Sequence, residues 1–421
     1  MTTLMIGSVD QMVNATQPTL VYGGGLTHRQ VISWRNAVLV IFMMPGIAIA
    51  SWVARLPAVR DSLDVRIDQI GLLLAGIAIG SIFGLVASSH LIARIGARSS
   101  MRWGLIVLGL GLAIAGAGAT VGPSFAITFA GLLVLGAAMG ITDVAMNVSG
   151  AANERILQKS IMPIFHAFFS FGTMLGAALG VLAELAGISV GIHLGLIAAL
   201  MVVSSFAVRF AQSEHTVEAG AQPIADDDHS TTWRGRLGIW RDPRTLLIGV
   251  LVLAAAFAEG SANDWLALAM VDGHGASNAT GALYFGIFVT AMTAGRLGGV
   301  MLLDRFGRVA VLRASFALAA FGLVIFIFVP NPVIALAGVV AWGLGSALGF
   351  PVGMSAAADD PKTAAARVSA VATIGYFAFL VGPPLIGFLG QQIGLLSSLL
   401  VVLVLCAIGA AISGVAREPS S

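Results

Sequence analysis

Apolar residues run through this chain in long blocks that short polar segments separate. A bilayer core of about 30 Å is crossed by about 20 apolar residues in an α-helix, and twelve blocks reach roughly that length. The blocks are residues 37–56, 70–92, 101–119, 125–148, 161–186, 193–210, 246–270, 283–303, 309–329, 333–358, 369–390 and 395–415. The pattern therefore predicts an all-α membrane protein with twelve transmembrane helices.

The polar interval 211–244 divides these blocks into two sets of six. It contains the acidic run Asp226-Asp227-Asp228 and the breakers Pro223 and Pro243. This interval predicts the following order of domains: an N-terminal tail (1–33), a six-helix bundle (34–210), a central loop (211–244), a second six-helix bundle (245–415) and a C-terminal tail (416–421).

Composition supports a membrane protein. Hydrophobic residues make up 58% of the chain and charged residues 10%, whereas a soluble domain has about 25% charged residues. The 52 glycines suit membrane helices, which pack closely through small residues. Cys406 is the single cysteine, which excludes an intramolecular disulfide and a cysteine metal cluster.

The placement of basic residues predicts the orientation. If the N-terminus is cytoplasmic, the loops outside the membrane hold only Arg60 and Arg66, beside aspartates. The cytoplasmic loops then hold Arg94, Arg98, Arg102, Arg155, Lys159, Arg305, Arg308, Arg313, Lys362 and Arg367. This asymmetry follows the positive-inside rule and predicts that both termini are cytoplasmic.

The two sets of six blocks repeat each other. The segments 93–98 and 304–309 follow the second and the eighth block at an offset of 211 residues (93 to 304). Gly136 and Gly343 begin similar glycine-spaced runs at an offset of 207, and Gly176 and Gly382 correspond at an offset of 206. Both sets begin on the same side of the membrane, so they are predicted to be parallel repeats about an axis along the membrane normal.

These features resemble the major facilitator superfamily over residues 34–415, and the segment Asp304-Arg305-Phe306-Gly307-Arg308 carries the most specific motif. The segments 51–57, 258–265 and 382–384 resemble the bacterial YbjJ-type permeases. The resemblance implies a monomeric, multi-pass transporter of the bacterial inner membrane with a pseudo-symmetric pair of bundles.

The same resemblance implies that the loop after the second helix of each repeat braces one half against the other. Where the family has an aspartate this chain has Ala93, so the bracing is expected to rest more on Asp304. The gating candidates are Arg94, Arg98, Arg296, Asp304, Arg305 and Arg308. The alternative is that the loop arginines only anchor the topology.

Ionisable groups inside a bilayer are costly, so each one is a functional candidate. In the seventh block, Glu259 is interpreted as a proton carrier or substrate acceptor, with Asn263 on its face and Asp264 re-aimed if Gly260-Ser261 loosens the helix. Alternatively, both acids only pair with another helix or lie at the membrane surface.

The fourth block holds Asp143 and Asn147 four residues apart, on one helical face. Asp143 is interpreted either as a second proton-coupling residue or as the partner of Arg296 in a gate, and Asp304 is the other possible partner of Arg296.

Further substrate-binding candidates lie in three other blocks. A polar stripe that includes His166, Ser170, Thr173 and Glu184 predicts that the fifth helix lines the cavity. In the first block, Arg55 either binds an anion, pairs with Glu259 or Asp264, or extends to the surface. Trp52 stacks on a sugar or belongs to an interfacial belt. The complete set of substrate-binding candidates is Trp52, Arg55, Asn147, Ser170, Thr173, Asn263, Asp264 and Tyr376.

The sequence has no phosphate-binding G-x-x-x-x-G-K-[ST] motif, so a proton gradient is the simplest energy source. We expect a secondary transporter that imports a small polar solute, such as a sugar, by alternating access. Proton-coupled efflux of a metabolite or drug is the alternative, and a non-transporting solute receptor is a remote one. No enzymatic activity, cofactor, metal site or nucleic-acid partner is expected; the expected partners are the lipid bilayer, the solute and protons.

Overall fold

The structure is a computed structural model that describes residues 21–22, 25–159, 161–212, 239–360 and 363–418. Most of the predicted N-terminal tail, residues 213–238 of the predicted central loop, Lys362 and the last three residues lie outside the described residues.

The N-terminal half contains a small antiparallel strand pair and six helices. The strands are β1 (Val21–Tyr22) and β2 (Leu26–Thr27). The helices are α1 (His28–Ala54), α2 (Leu56–Leu63), α3 (Ile67–Thr120), α4 (Phe125–Leu157), α5 (Met162–Leu185) and α6 (Val190–Ser204), and a 3₁₀ turn (Ser205–Phe210) follows α6.

The described residues of the C-terminal half form seven helices. They are α7 (Pro243–His274), α8 (Asn278–Phe328), α9 (Pro332–Ser346), α10 (Gly349–Ala357), α11 (Ala364–Ile393), α12 (Leu395–Ser398) and α13 (Leu400–Ile412), with a final 3₁₀ turn (Ser413–Ala416). Because α9 continues into α10 and α12 into α13, each of these pairs makes one membrane-length segment.

Ten segments of the described chain are long and apolar enough to cross a membrane. Two of them, α3 with 54 residues and α8 with 51, are far longer than one crossing requires. Gly96 breaks α3 at φ 78° and ψ 158°, and Gly307 breaks α8 at φ 74° and ψ 164°, a region that glycine enters without steric cost. Each long helix therefore consists of two membrane-length parts, which is consistent with the twelve predicted crossings.

Equivalent helices pack through equivalent glycines in the two halves. In the N-terminal half Gly136 of α4 lies against Ile77 of α3, and in the C-terminal half Gly343 of α9 lies against Phe288 of α8. A side chain at either glycine would collide with the backbone of the neighbouring helix. The halves therefore repeat in packing as well as in sequence.

The first helix begins earlier than predicted. The Thr27 side chain accepts a hydrogen bond from the Gln30 amide, and the Gln30 side chain accepts one from the Thr27 amide. This capping box starts α1 at His28, so assigning all of residues 1–33 to a tail was wrong. The Trp34 indole then donates to Ser149 at 2.9 Å, which fixes this end of α1 against α4.

The loops are divided between two ends of the molecule. We call one end the terminal face. It carries the helix breaks at Gly96 and Gly307, residue 212, and residue 418 at the end of the described chain. The other end, called the opposite face, carries the α1–α3 connection and the α7–α8 loop.

Polar contacts join the two halves at the opposite face. Arg60 forms an ion pair with Asp272, and Asn278 donates to Asp61 at 3.2 Å. Gln391 accepts a hydrogen bond from the Ile67 amide at 3.1 Å. The ion pairs described at the terminal face instead join elements of the same half. The structure is thus closed at the opposite face.

Candidate functional site

The centre of the site is an ion pair between α7 and α8. Glu259 lies near the middle of α7, 16 residues after Pro243 and 15 before His274, about 22–24 Å from either helix end at 1.5 Å per residue. The Nη2 atom of Arg296 lies 2.8 Å from both carboxylate oxygens of Glu259. The two side chains keep 17% and 33% exposure, so this charge-assisted contact is open on one side.

The predicted partners of Arg296 were wrong. Arg296 pairs with Glu259 rather than with Asp143 or Asp304. Helices α7 and α8 pack in the same half, so the long arginine side chain reaches Glu259 without crossing the space between the halves. Asp143 belongs to the other half, and Asp304 lies two turns further along α8 with an exposed side chain.

Groups from the N-terminal half face this ion pair. Asp143 of α4 is exposed, and the Asn147 amide donates to its carboxylate at 3.3 Å and to its carbonyl at 2.8 Å. Asp143 lies within electrostatic range of His166 of α5 and of Tyr376 of α11. His166 in turn lies within electrostatic range of Arg296. These charged and polar groups of the two halves therefore lie near one another around one space.

We call this space the central cavity and define it by Asp143, His166, Glu259, Arg296 and Tyr376. Tyr376 is 51% exposed, and Asp143 and His166 are exposed as well. Because the halves meet at the opposite face, the central cavity opens toward the terminal face. His166 was placed in the stripe of α5 by its spacing, but its position beside Asp143 required the structure.

The stripe on α5 lines the cavity only in part. The Ser170 hydroxyl donates to the His166 carbonyl at 3.4 Å, and the Thr173 hydroxyl donates to the Ser170 carbonyl at 2.7 Å. Ala177 lies against Gly286 of α8. The stripe therefore begins at the cavity with His166, reaches the contact between the halves at Ala177, and ends at Glu184, which pairs with Arg55 of its own half.

Two candidates on α1 are not accessible in this conformation. Arg55 is 3% exposed and its Nε lies 2.7 Å from Glu184, while Nη2 donates to the Ile188 carbonyl at 2.7 Å. Pairing of Arg55 with Glu259 or Asp264 was therefore wrong, because α1 packs at this height against α5, which carries Glu184. Trp52 is fully buried, so it is not a residue of an interfacial belt.

Asn263 and Asp264 lie on α7 beyond Glu259 and are both half-buried. Within the described part of the chain, neither makes a hydrogen bond or an ion pair. Helix α7 is regular through Gly260 and Ser261, so the predicted loosening of the helix does not occur. Their role in substrate binding stays a prediction.

The gating candidates at the terminal face differ in their partners. Arg94 and Arg305 are exposed, and Arg305 lies over the Phe306 ring at 5.3 Å. Arg98 donates to the Arg209 carbonyl at 2.8 Å. Asp304 is exposed and has no ion-pair partner among the described residues, so it does not brace the halves in this conformation.

The sequence analysis missed the acids that hold the loops. Asp359 pairs with Arg308 at 2.6 Å and with Arg244 at 3.1 Å, and it is only 7% exposed. Asp272 pairs with Arg60 across the halves. Both acids stand just after the end of an apolar block, and this position could have indicated them. Their spacing gave no information about their partners. No group of three possible metal ligands occurs among the described residues.

The family model of the Major Facilitator Superfamily matches residues 30–301 and 265–420. The chain belongs to the Major Facilitator Superfamily. An uncharacterized MFS-type transporter of Yersinia pestis is 30% identical over 366 residues, which are 86% of this chain and 90% of that protein. The narrower resemblance to YbjJ-type permeases stays a prediction.

Solved structures of superfamily transporters share the fold. A point mutant of the nucleoside transporter NupG aligns at a TM-score of 0.72 with 14% identity, covering 91% of this chain and 99% of that one. A point mutant of the fucose:proton symporter FucP of E. coli aligns at 0.58 with 16% identity, covering 91% and 98%. This protein is thus a multi-pass membrane transporter of the Major Facilitator Superfamily, a family of transporters and not of enzymes.

Proposed function

We propose that this transporter imports a small polar solute by alternating access and that protons drive the import. The observation that carries the proposal is the Glu259–Arg296 ion pair near the middle of α7, which faces Asp143 and His166 of the other half. Charged groups at this depth are energetically costly, so those that occur there are candidates for a function.

Alternating access is supported by the contacts between the halves. They close the opposite face, while the central cavity opens toward the terminal face. The positive-inside distribution of arginines assigns the terminal face to the cytoplasm. In this orientation the conformation is inward-facing, and breaking the opposite-face contacts is the step that leads to the outward-facing one.

Proton coupling is proposed to act through the central ion pair. In its ionised form Glu259 holds Arg296 through both carboxylate oxygens. Protonation removes the negative charge that holds the guanidinium, and Arg296 is then free to interact with the solute or with Asp143. Asp143 is the second candidate for carrying the proton.

The composition of the cavity favours a small polar solute. One arginine, two carboxylates, a histidine, a tyrosine and Asn147 supply hydrogen-bond donors and acceptors with a small net charge. The structural neighbours that are named as nucleoside and fucose transporters carry polar solutes of this size. A sugar or a related compound is the solute class that we propose.

The experiment is a thermal-shift screen of the purified protein against sugars, nucleosides, organic acids and lipophilic cations at two pH values. A ligand at 100 times its Kd stabilises the folded state by about 2.7 kcal/mol. We expect a sugar or related polar compound to raise the melting temperature, and the shift to decrease in Glu259→Gln. Arg305→Gln, which alters an exposed residue outside the cavity, is the control and keeps the shift.

A stabilising compound found only among the lipophilic cations contradicts import of a polar solute and favours efflux. A polar ligand whose shift is equal in wild type and Glu259→Gln places its site away from the central ion pair and contradicts the proposed role of Glu259.

A further inference from the structure

A second cavity lies at the terminal face of the N-terminal half. It has a volume of about 670 Å³, and the residues around the Gly96 break and the 3₁₀ turn after α6 line it. Four of the lining residues are Arg94, Arg98, Arg102 and Arg209. We call this space the arginine cavity. It is separate from the central cavity, which none of these four residues lines.

No carboxylate lines the arginine cavity, and none of its four arginines forms an ion pair among the described residues. Arg98 donates to a backbone carbonyl, that of Arg209, at 2.8 Å. Arg102 and Arg209 lie over the rings of Phe206 and Phe210 at 6.0 Å and 4.7 Å. Four positive charges in one concave space repel each other, and an anion bound between them offsets this repulsion.

The repeat shows where the halves differ: Arg305 and Arg313 have no ion pair among the described residues either, but the C-terminal half places a carboxylate in its loop. At the offset of 211 residues, Arg305 is equivalent to Arg94 and Arg313 to Arg102. In the C-terminal half Arg308, whose counterpart at this offset is Ala97, pairs with the nearly buried Asp359 and with Glu418. The N-terminal half has the same backbone break without an equivalent internal carboxylate among its described residues.

Apolar surface surrounds the arginine cavity. Phe206, which lines it, is 57% exposed, and the neighbouring Trp103 and Phe210 are 57% and 45% exposed. Tryptophan at the end of membrane helices marks the level of the lipid headgroups, and the exposed phenylalanines add apolar surface. A ligand here thus meets both positive charge and an apolar surface.

We propose that the arginine cavity binds the phosphate of an anionic phospholipid headgroup. A guanidinium donates two parallel hydrogen bonds to a phosphate, and basic pockets beside membrane helices bind such headgroups. The exposed ring of Phe206, which lines the cavity, and that of Phe210, which lies beside Arg209, offer an apolar surface to the acyl chains of the lipid. A soluble phosphate would make no use of these rings.

The test titrates short-chain phosphatidylglycerol into the purified protein in a neutral detergent and follows thermal unfolding, with phosphatidylcholine as the zwitterionic control. The variant is Arg94→Gln/Arg102→Gln, and its matched control is the repeat-equivalent Arg305→Gln/Arg313→Gln. All four arginines are exposed, and each variant removes two positive charges. If the double variant does not fold, the titration is carried out with the single variant Arg102→Gln.

We expect phosphatidylglycerol, and not phosphatidylcholine, to raise the melting temperature. Its apparent affinity should fall at least about fivefold in Arg94→Gln/Arg102→Gln, as the loss of two phosphate contacts implies, and stay unchanged in Arg305→Gln/Arg313→Gln. If the two double variants lose affinity for phosphatidylglycerol equally, the binding depends only on overall surface charge, and the proposal is overturned.

Two further arms separate the sources of the anion. Inorganic phosphate at matched ionic strength should not reproduce the shift; if it does, the site takes a free phosphate and the lipid assignment is overturned. The second arm tests whether the chain's own acidic run, Asp226–Asp228, which lies outside the described residues, occupies the cavity. In this variant the three aspartates are replaced by asparagines. Binding of phosphatidylglycerol seen only in this variant would make the chain's own acids the occupant and overturn the proposal.

Discussion

The two halves break their long helices at equivalent glycines but neutralise the arginines around these breaks differently. Around Gly307, Arg308 and Arg244 share Asp359, which is 7% exposed, and Arg367 pairs with Asp242. Around Gly96, Arg94, Arg98 and Arg102 surround a cavity without a carboxylate. The nearest acid in the equivalent part of the N-terminal half, Glu154, instead accepts hydrogen bonds from the Ile161 and Met162 amides.

The same difference appears inside the membrane. In the C-terminal half Glu259 is held by Arg296 of its own half. In the N-terminal half Asp143 has Asn147 as its hydrogen-bond partner and no ion pair among the described residues. The repeat therefore shares backbone and packing, whereas charge pairing is a property of each half. Glu259 and Arg308 of the C-terminal half are paired, whereas Asp143 and the arginines around Gly96 in the N-terminal half have no ion pair among the described residues.

The largest expected effect concerns the two carboxylates of the central cavity. If Glu259 carries the coupling proton, Glu259→Gln abolishes accumulation driven by a proton gradient and leaves solute exchange intact, because exchange needs no net proton movement. The measurement is uptake into proteoliposomes with and without a gradient, using the ligand that the screen identifies.

Asp143→Asn is the matched variant from the other half. If coupling uses Glu259 alone, this variant keeps gradient-driven accumulation; if Asp143→Asn alone abolishes it, the roles of the two halves are reversed. Loss of both accumulation and exchange in Glu259→Gln would reject a pure coupling role for this residue.

The next effect concerns stability at the terminal face. Asp359→Asn leaves Arg308 and Arg244 without their shared carboxylate, and we expect a loss of about 2 kcal/mol, within the range for charged hydrogen bonds. Both arginines remain partly exposed, so water limits the loss. Thermal unfolding in detergent measures the effect.

Asp304→Asn is the control because its side chain is exposed and has no ion-pair partner in the described structure. A surface substitution of this kind changes stability by about 0.5 kcal/mol at most. Equal destabilisation by Asp304→Asn and Asp359→Asn would contradict the assignment of Asp359 as the acid that holds this loop.

The smallest expected effect concerns the contacts between the halves. Asp272→Asn removes the ion pair with Arg60 at the opposite face, and a partly exposed pair contributes about 0.2–1 kcal/mol. The population of the conformation that is open at the opposite face should rise by a factor of about 1.4 to 5, since 1.4 kcal/mol corresponds to tenfold.

Labelling of Asn263→Cys from the opposite face measures this change in a Cys406→Ala background. Asp304→Asn should leave the labelling rate unchanged, because no contact between the halves depends on it in this conformation. If Asp304→Asn changes the labelling rate more than Asp272→Asn does, Asp304 is the residue that braces the two halves, as the family resemblance implied.

The number and rough limits of the membrane segments follow from the amino-acid order alone, because a bilayer accepts only long apolar helices and excludes charge. The order also indicated the repeat, through motifs that recur at a nearly constant offset. It indicated Glu259 and Asp143 as well, because an acid inside a membrane segment is energetically costly and is therefore a functional candidate. Even the break glycines, Gly96 and Gly307, lay in the segments that the repeat singled out.

Which charges meet, by contrast, depended on the packing of the helices. Arg296 had two predicted acidic partners and Arg55 had two, and the structure pairs neither arginine with them. The actual partner depends on which helices pack together and how each is rotated. Apolar periodicity does not fix that rotation in a membrane, since lipid and protein interior are equally apolar. Close packing through glycines fixed it here, placing Arg296 beside Glu259, Arg55 beside Glu184 and Arg308 beside Asp359.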